Sequence, residues 1–293
     1  MAKYRLIKPS TGETLDLATP GGESNMLAIK GATGLGLPPV ETSLVDKVAG
    51  HGSVWRSSRF EHREIYLPVL LKAPTRPDLY TLKKNLASFL SPLEPLTLEV
   101  NESGDKRTIQ VRYTKGLEGT EGNTYQYAWE TVGLTFIAPE PYFYGATRSI
   151  TWGVNRKTKP FLSNAEAFFP IVLAESAVSR DVTITVVSDT PVSPVWEIAG
   201  PITNPVISLP ATGQKIELTG SIRLGETVTI DTENGDIRTQ TETAGQWWER
   251  VTLESEFFTL SRGKHQVSVT GSDMTEDSEI KLSWTNKHLT AWA

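Results

Sequence analysis

Apolar and polar residues alternate in short runs along most of the chain, and Gly, Pro, Asn and Asp separate the runs. A period of two residues is typical of β-strands that bury one face. Leu96, Leu98 and Val100 alternate with polar residues, and after a turn at residues 101–105 the apolar face resumes at Ile109. The pattern therefore predicts a mainly β protein.

Residues 77–90 depart from this alternation, because their apolar positions follow the spacing of three and four residues that marks one face of a helix. Thr75 and Asp78 resemble a capping box at the start of this segment. Pro92 ends it, since proline cannot continue the hydrogen-bond ladder of a helix. One helix among many strands is predicted.

Two groups of apolar residues near position 130 occupy opposite phases of the alternation. They are Tyr125, Tyr127 and Trp129, followed by Val132, Leu134 and Phe136. One extra residue near Glu130 or Thr131, as a bulge or a bend, would account for the change of phase. We therefore predict an irregular strand at this place.

A proline-rich run at residues 138–145 indicates a boundary, so we expect one domain at residues 1–147 and another at residues 148–293. The second half contains many short strand-like runs and no helical stripe. Asn234-Gly235 suggests a type I′ turn, in which both central residues have positive φ. The expected fold is an N-terminal β-sandwich-like domain with one α-helix and a C-terminal β-sandwich.

The composition narrows the possible functions. The chain of 293 residues has no cysteine, which excludes disulfides and thiolate zinc sites. Its net charge is −5 and basic and acidic residues are interspersed, so we expect no sequence-specific nucleic acid partner. No run approaches the about 20 apolar residues of a membrane span, and residues 1–9 do not resemble a signal peptide. We therefore expect assembly in the cytoplasm.

No pattern predicts a catalytic residue, a cofactor or a metal ion. His51 and His62 could meet in a hairpin, but such a pair without a carboxylate-rich loop is a weak metal site. Residues 31–36 are rich in glycine, yet Pro38 and Pro39 follow where a phosphate-binding helix would begin. The chain also lacks the Gly-x-Ser-x-Gly motif of many hydrolases. The prediction is a protein that is not an enzyme.

Three tryptophans in the second half have two possible roles. Trp196, Trp247 and Trp248 are candidate glycan contacts, because an indole ring can stack on a sugar. Adjacent strand residues point to opposite faces, so at most one of Trp247 and Trp248 would face the core. Aromatic residues concentrate in cores and interfaces, and this is the favoured role.

Segments along nearly the whole chain resemble the phage distal tail (siphophage tail component) family. The resemblance rests on residues 29–41, the turn Gly50-His51-Gly52, the helix at 77–90, and residues 134–143, 200–205, 224–232 and 258–263. The family often has aspartate-glycine where this chain has His51-Gly52. The ordered series of segments is more specific than any single one of them.

The resemblance implies an N-terminal domain that forms a hexameric ring and a C-terminal galectin-like sandwich that projects outward. The ring would join the tail tube to the tip or baseplate and surround the channel through which DNA passes. The implied partners are the tail tube protein, the tail tip or tail-associated hub protein and the tape measure protein, with receptor-binding proteins or host glycans as further candidates. The implied location is the tail tip of the virion.

A ring covers the unpaired edges of its subunits' sheets, so contact residues are needed. Trp55, Phe60, Tyr125, Tyr127 and Trp129 are our candidates for these interfaces, because aromatic residues are enriched there.

Two other classes compete with the structural ring subunit. A carbohydrate-binding module for adhesion to the host would use the tryptophans of the second half, and a cell-wall hydrolase would cleave peptidoglycan. Since sandwich folds host many functions, the fold by itself does not decide among the three.

Overall fold

The computed structural model describes residues 2–17, 24–124, 127–153, 180–239 and 246–292. The chain forms two compact units. Unit 1 consists of Met1–Ala146 together with Lys287–Ala293, and unit 2 consists of Thr147–Asn286. The chain thus leaves unit 1, builds unit 2 and returns to unit 1 at residue 287, which no feature of the sequence indicated.

Unit 1 contains a single α-helix and antiparallel strands among its described residues. The elements are β1 (Lys3–Ile7), β2 (Thr14–Leu17), β3 (Met26–Ala28), β4 (Val40–Asp46), β5 (Ser53–Phe60), β6 (Arg63–Ala73), α1 (Arg76–Phe89), β7 (Leu96–Glu102), β8 (Asp105–Thr124), β9 (Tyr127–Ala138) and the start of β10 (Phe143–Gly153). One sheet has the order β2-β1-β7-β8-β10, and the other has the order β3-β6-β9-β8. The long strand β8 is shared by both sheets, whose inward residues form one apolar cluster.

Helix α1 begins and ends close to the predicted positions. The backbone N–H of Asp78 donates to Thr75 Oγ1 at 3.4 Å, and the Thr75 hydroxyl donates to Asp78 Oδ2 at 2.6 Å. Leu79, Leu86 and Phe89 are buried, and the helix packs against β6 and β9. The predicted stripe therefore faces the core. At 14 residues α1 is too short to span a bilayer, and the described residues contain no longer apolar helix.

The irregularity predicted near Glu130 or Thr131 is wrong. Strand β9 pairs with β6 without a break from Ala128↔Ala73 to Ala138↔Arg63. Glu130, not Trp129, lies on the buried face, where Lys83 Nζ approaches its Oε2 at 2.7 Å. The phase change in the sequence arises because this face of a regular strand carries an ion-paired carboxylate. The register shifts occur instead on the β8 side of the β8–β9 pair.

Unit 2 consists mainly of two antiparallel sheets. Its elements are the end of β10, β11 (Arg180–Val186), β12 (Val195–Ala199), β13 (Ile202–Leu209), β14 (Gln214–Glu217), β15 (Ser221–Ile222), β16 (Thr227–Asp231), β17 (Asp236–Thr239), a 3-10 helix (Gln246–Arg250), β18 (Gly263–Ser272) and β19 (Glu279–His288). One sheet has the order β17-β16-β12-β19-β10 and the other β11-β18-β13-β14, with β15 beside β13. The predicted fold class, mainly β with one α-helix, is confirmed.

The predicted type I′ turn is also wrong. Gly235 has a φ of 64°, but Asn234 is not among the residues with positive φ. Asp231 pairs with Asp236 across a four-residue loop. The Asp231 carboxylate accepts hydrogen bonds from the backbone N–H groups of Glu233 and Asn234, which shapes this longer turn. Burial opposes its charge, but the hydrogen bond from the Asn234 side-chain amide, together with the two backbone hydrogen bonds, lowers the pKa of Asp231.

The glycine-rich segment at residues 31–36 lies directly against β6. Gly34 has a φ of 79°, and a Cβ placed on it would lie 2.0 Å from the carbonyl oxygen of Glu64. Thr33 exchanges backbone hydrogen bonds with Tyr66. Glycine is required at position 34 for both its backbone conformation and its close approach to the strand.

We expect Gly34→Ala to lower the free energy of unfolding of unit 1 by at least about 3 kcal/mol, because strain and main-chain overlap add. Gly12→Ala is the matched control, since Gly12 also has positive φ, 72°, but an added Cβ would meet nothing within 4 Å. Gly12→Ala should lower the free energy of unfolding by about 1 kcal/mol. Calorimetric unfolding of both variants tests this, and equal losses would contradict it.

Candidate assembly surface

Strands β4 and β5 form a two-stranded sheet of their own. Every residue of both strands is exposed. The hairpin is closed at its base by a hydrogen bond of 2.9 Å from Glu61 N to Pro39 O. We call residues 40–60 the arm. An isolated two-stranded hairpin is marginally stable in water, so the arm requires a further contact.

The register of the arm separates its side chains into two faces. The pairs Val40↔Phe60, Thr42↔Ser58 and Leu44↔Trp55 lie on one face, since they occupy alternate positions. We call this the apolar face. The other face carries Glu41↔Arg59, Ser43↔Ser57 and Val45↔Val54, and we call it the charged face because Glu41 and Arg59 form an ion pair on it.

The polar groups of the apolar face bond to one another. The indole N–H of Trp55 donates to Ser58 Oγ at 2.9 Å, and the hydroxyls of Thr42 and Ser58 are 3.2 Å apart. Burial of a polar group is costly only when its hydrogen bonds are lost. This face can therefore be covered by a partner at a small desolvation cost.

A β-bulge places Trp55 on the apolar face. The register shifts between Ser43 and Leu44, so that Arg56 has no opposing residue in β4. In a regular hairpin Arg56 would oppose Leu44, and Trp55 would lie on the charged face. Because of the bulge, Trp55 rather than Arg56 lies beside Leu44. The Trp55 side chain is 61% exposed there.

Arg63 anchors the segment from which the arm emerges. It is 1% exposed and has no carboxylate among its hydrogen-bond partners. Its Nη1 donates to the carbonyl oxygens of Gly34 and Gly36, at 2.6 Å each. Nε and Nη2 both donate to Pro141 O, and Nη2 also donates to Leu289 O.

Burial lowers the pKa of Arg63 to about 10, so the guanidinium is still charged at neutral pH. The carbonyl oxygens of the glycine-rich segment point at this cation. A phosphate-binding loop instead presents N–H groups to an anion. The segment is therefore built around a cation of the protein.

The predicted interface residues occupy different parts of unit 1. Trp55 and Phe60 are on the arm, where Phe60 packs edge-on against Tyr142 with ring centroids 6.1 Å apart. Trp129 is half-buried on β9. Tyr125 lies outside the described residues, and so does the side chain of Tyr127.

Val40 and Leu44 belong to the same apolar face as Trp55 and Phe60 and were missed in the sequence. Both strands are exposed on both faces, and the bulge interrupts their alternation, so periodicity offered no clear signal. The possible meeting of His51 and His62 is wrong, because they flank opposite ends of β5. In the described part of the chain no group of three or more His, Asp and Glu residues could hold a metal ion.

Two of the three candidate glycan contacts are core residues. Trp196 is 0% exposed and Trp247 is 2% exposed, so neither can stack on a sugar. Trp248 is 44% exposed and packs against Phe257 with ring centroids 5.3 Å apart. The pair Trp247-Trp248 lies in the 3-10 helix rather than in a strand. A glycan platform built from all three tryptophans is therefore wrong.

Comparison with protein families identifies the class of this protein. Residues 29–126 match the family model described as a phage tail protein RIFT-related domain. Residues 187–288 match the model described as a siphovirus-type tail component, C-terminal domain. The first match contains the arm and the glycine-rich segment, and together the matches cover more than half of the chain. They define a structural component of a phage tail.

Solved structures with the same fold agree with this class. The crystal structure of the SPP1 Dit protein, described as a paradigm of the hub adsorption apparatus in phages that infect Gram-positive bacteria, matches with a TM-score of 0.68 and 14% identity over 97% of this chain and 98% of that chain. A chain of the phage P2 baseplate in its activated conformation with Ca matches with a TM-score of 0.50, 13% identity and the same coverage. No curated protein matches the sequence. The chain belongs to the siphovirus-type tail component family, that of the phage distal tail proteins.

The exposure of Trp55 leads to a stability prediction. Trp55→Ala should change the free energy of unfolding of the monomer by less than about 0.5 kcal/mol, because the side chain contributes little to the core. Trp196→Ala is the matched control and should cost about 3–5 kcal/mol in unit 2. Urea titration of monomeric protein would check both, and a large loss from Trp55→Ala would show that the arm packs on its own subunit.

Proposed function

We propose that the chain is the distal tail subunit of a long non-contractile phage tail, and that its copies assemble through the arm into a closed ring. The observation that carries this proposal is a hairpin with an apolar face and with two edges that pair with no other strand in the described part of the chain. Val40, Leu44, Trp55 and Phe60 are 51%, 59%, 61% and 39% exposed. Large exposed apolar patches mark interaction sites.

We infer that the arm docks on a different surface of the next subunit, which gives a ring rather than a two-fold dimer. A hairpin that docks on a different surface of the next subunit makes a heterologous contact. Heterologous contacts repeat from subunit to subunit and generate a ring when the rotation closes. Such a contact also covers the free edges of β4 and β5, which otherwise invite uncontrolled pairing. The resemblance to the family gives the number of copies as six.

The proposed ring joins the tail tube to the tip or baseplate and surrounds the DNA channel. Its partners are the tail tube protein, the tip or hub protein and the tape measure protein. The similar structures are described as a hub and as part of a baseplate, which supports this position. The location is the tail tip of the virion, after assembly in the host cytoplasm. The role is structural, not enzymatic.

Unit 2 is the galectin-like sandwich of this proposal. Its tryptophans Trp152, Trp196 and Trp284 are buried in its core. We favour a supporting role over sugar binding, since Trp248 alone of the three candidate glycan contacts is accessible. Receptor-binding proteins are its proposed partners.

The ring proposal is tested by light scattering and negative-stain imaging of the purified chain. Annular particles are expected. Trp55→Ala combined with Leu44→Ala should weaken each subunit contact by about 2–4 kcal/mol, as expected for central apolar contacts, and leave monomers at micromolar concentration.

Val45→Ala combined with Val54→Ala is the matched control, because this pair lies on the charged face of the same hairpin. These residues are similarly exposed, at 45% and 46%, and the control should retain annular particles. A parent chain that remained monomeric at every concentration would refute the proposal. Oligomers that formed equally well when Trp55 and Leu44 were both replaced by Ala would also refute it.

A further inference from the structure

The chain enters unit 1 a second time after unit 2 has been built. We call residues 287–292 the return segment. Ala291 is 1% exposed and belongs to the apolar core of unit 1. Its backbone N–H donates to Leu35 O at 2.9 Å. The segment is therefore part of the folded core of this unit.

Two buried arginines bind the return segment through its carbonyl oxygens. Arg63 Nη2 donates to Leu289 O at 2.8 Å. Arg107 Nη1 donates to Thr290 O at 3.0 Å and to Trp292 O at 2.6 Å. The arginines are 1% and 5% exposed, so loss of these acceptors would leave buried donors with fewer partners.

The glycine-rich segment lies between β6 and the return segment. On one side Gly34 approaches the backbone of Glu64 so closely that no Cβ would fit. On the other side Leu35 O accepts the hydrogen bond from Ala291, and a Cβ on Gly36 would lie 3.8 Å from the ring of Trp292. Three residues after Gly36 the chain reaches Pro39, whose carbonyl closes the base of the arm.

We infer that the return segment is a latch that fixes the root of the arm, by which we mean residues 34–39, the segment that leads into β4. Because it follows unit 2 in the chain, the arm is held in its assembly position only after unit 2 has been synthesised. A chain interrupted within unit 2 has the arm sequence but lacks the latch, so it cannot enter the ring. The latch concerns the root of the arm, and its link to ring assembly rests on the proposed function.

The test compares the parent chain with a chain that stops after His288. Hydrogen exchange measured by mass spectrometry should be at least about tenfold faster at residues 29–39 in the shortened chain, while the strands of unit 2 keep their protection. Annular particles should be absent. Equal protection of residues 29–39 in the two chains would refute the latch.

Rescue by a peptide separates the latch from general misfolding. A synthetic peptide of residues 287–293 should restore protection at residues 29–39 as its concentration rises. Its Ala291→Pro form is the matched control and should restore less, because it cannot donate to Leu35 O.

The same substitution in the complete chain covers the case in which the shortened chain does not fold. Ala291→Pro should accelerate hydrogen exchange more at residues 29–39 than in β1 and β7. An equal acceleration in all of these segments would count against the latch. If the parent chain stayed monomeric while the latch effects were observed, the ring proposal alone would fail. If rings formed equally from the shortened chain, the latch alone would fail.

Discussion

The buried guanidinium of Arg63 is the constraint around which unit 1 is organised. Burial opposes its charge, which is why its pKa is lowered to about 10. No carboxylate of the described residues forms an ion pair with it, and carbonyl oxygens from three distant parts of the chain surround it at Gly34 and Gly36, at Pro141 and at Leu289. All three segments supply acceptors to the cation. It therefore links the root of the arm to the end of the first half and to the return segment.

The pattern of the sequence reveals the secondary-structure elements of this fold but not the contacts between residues that are far apart in the chain. The strands around Leu96 and the helix at 77–90 are visible because each buries a regular stripe of its own residues. The contact between Arg63 and Leu289 joins residues 226 positions apart, and it uses a backbone oxygen that every residue has. No residue type at position 289 marks such a contact. The return to unit 1 was therefore inaccessible to pattern analysis.

Both errors in predicted local structure have an electrostatic cause. A bulge or a bend was predicted near Glu130 or Thr131 because the phase of the apolar residues changes there, but Glu130 is buried on the core face beside Lys83, which reaches it from α1. At Asn234-Gly235 the dipeptide suggested the shortest hairpin, but the Asp231 carboxylate captures two backbone N–H groups and stabilises a longer loop. Polar side chains that satisfy buried or backbone groups override both periodicity and turn statistics.

The sequence identified two of the four apolar residues on the apolar face of the arm. Trp55 and Phe60 were identified by residue type, whereas Val40 and Leu44 needed the register of the hairpin. That register depends on Arg56, since the extra residue decides which side chain lies beside Leu44. A strand that is exposed on both faces has no core to fix its phase, so its pairing must be set by the bulge and by cross-strand contacts such as Thr42 with Ser58. The pairing of β4 with β5 thus defines the apolar face of the arm, and a partner that covers this face would supply the further contact that a two-stranded hairpin requires.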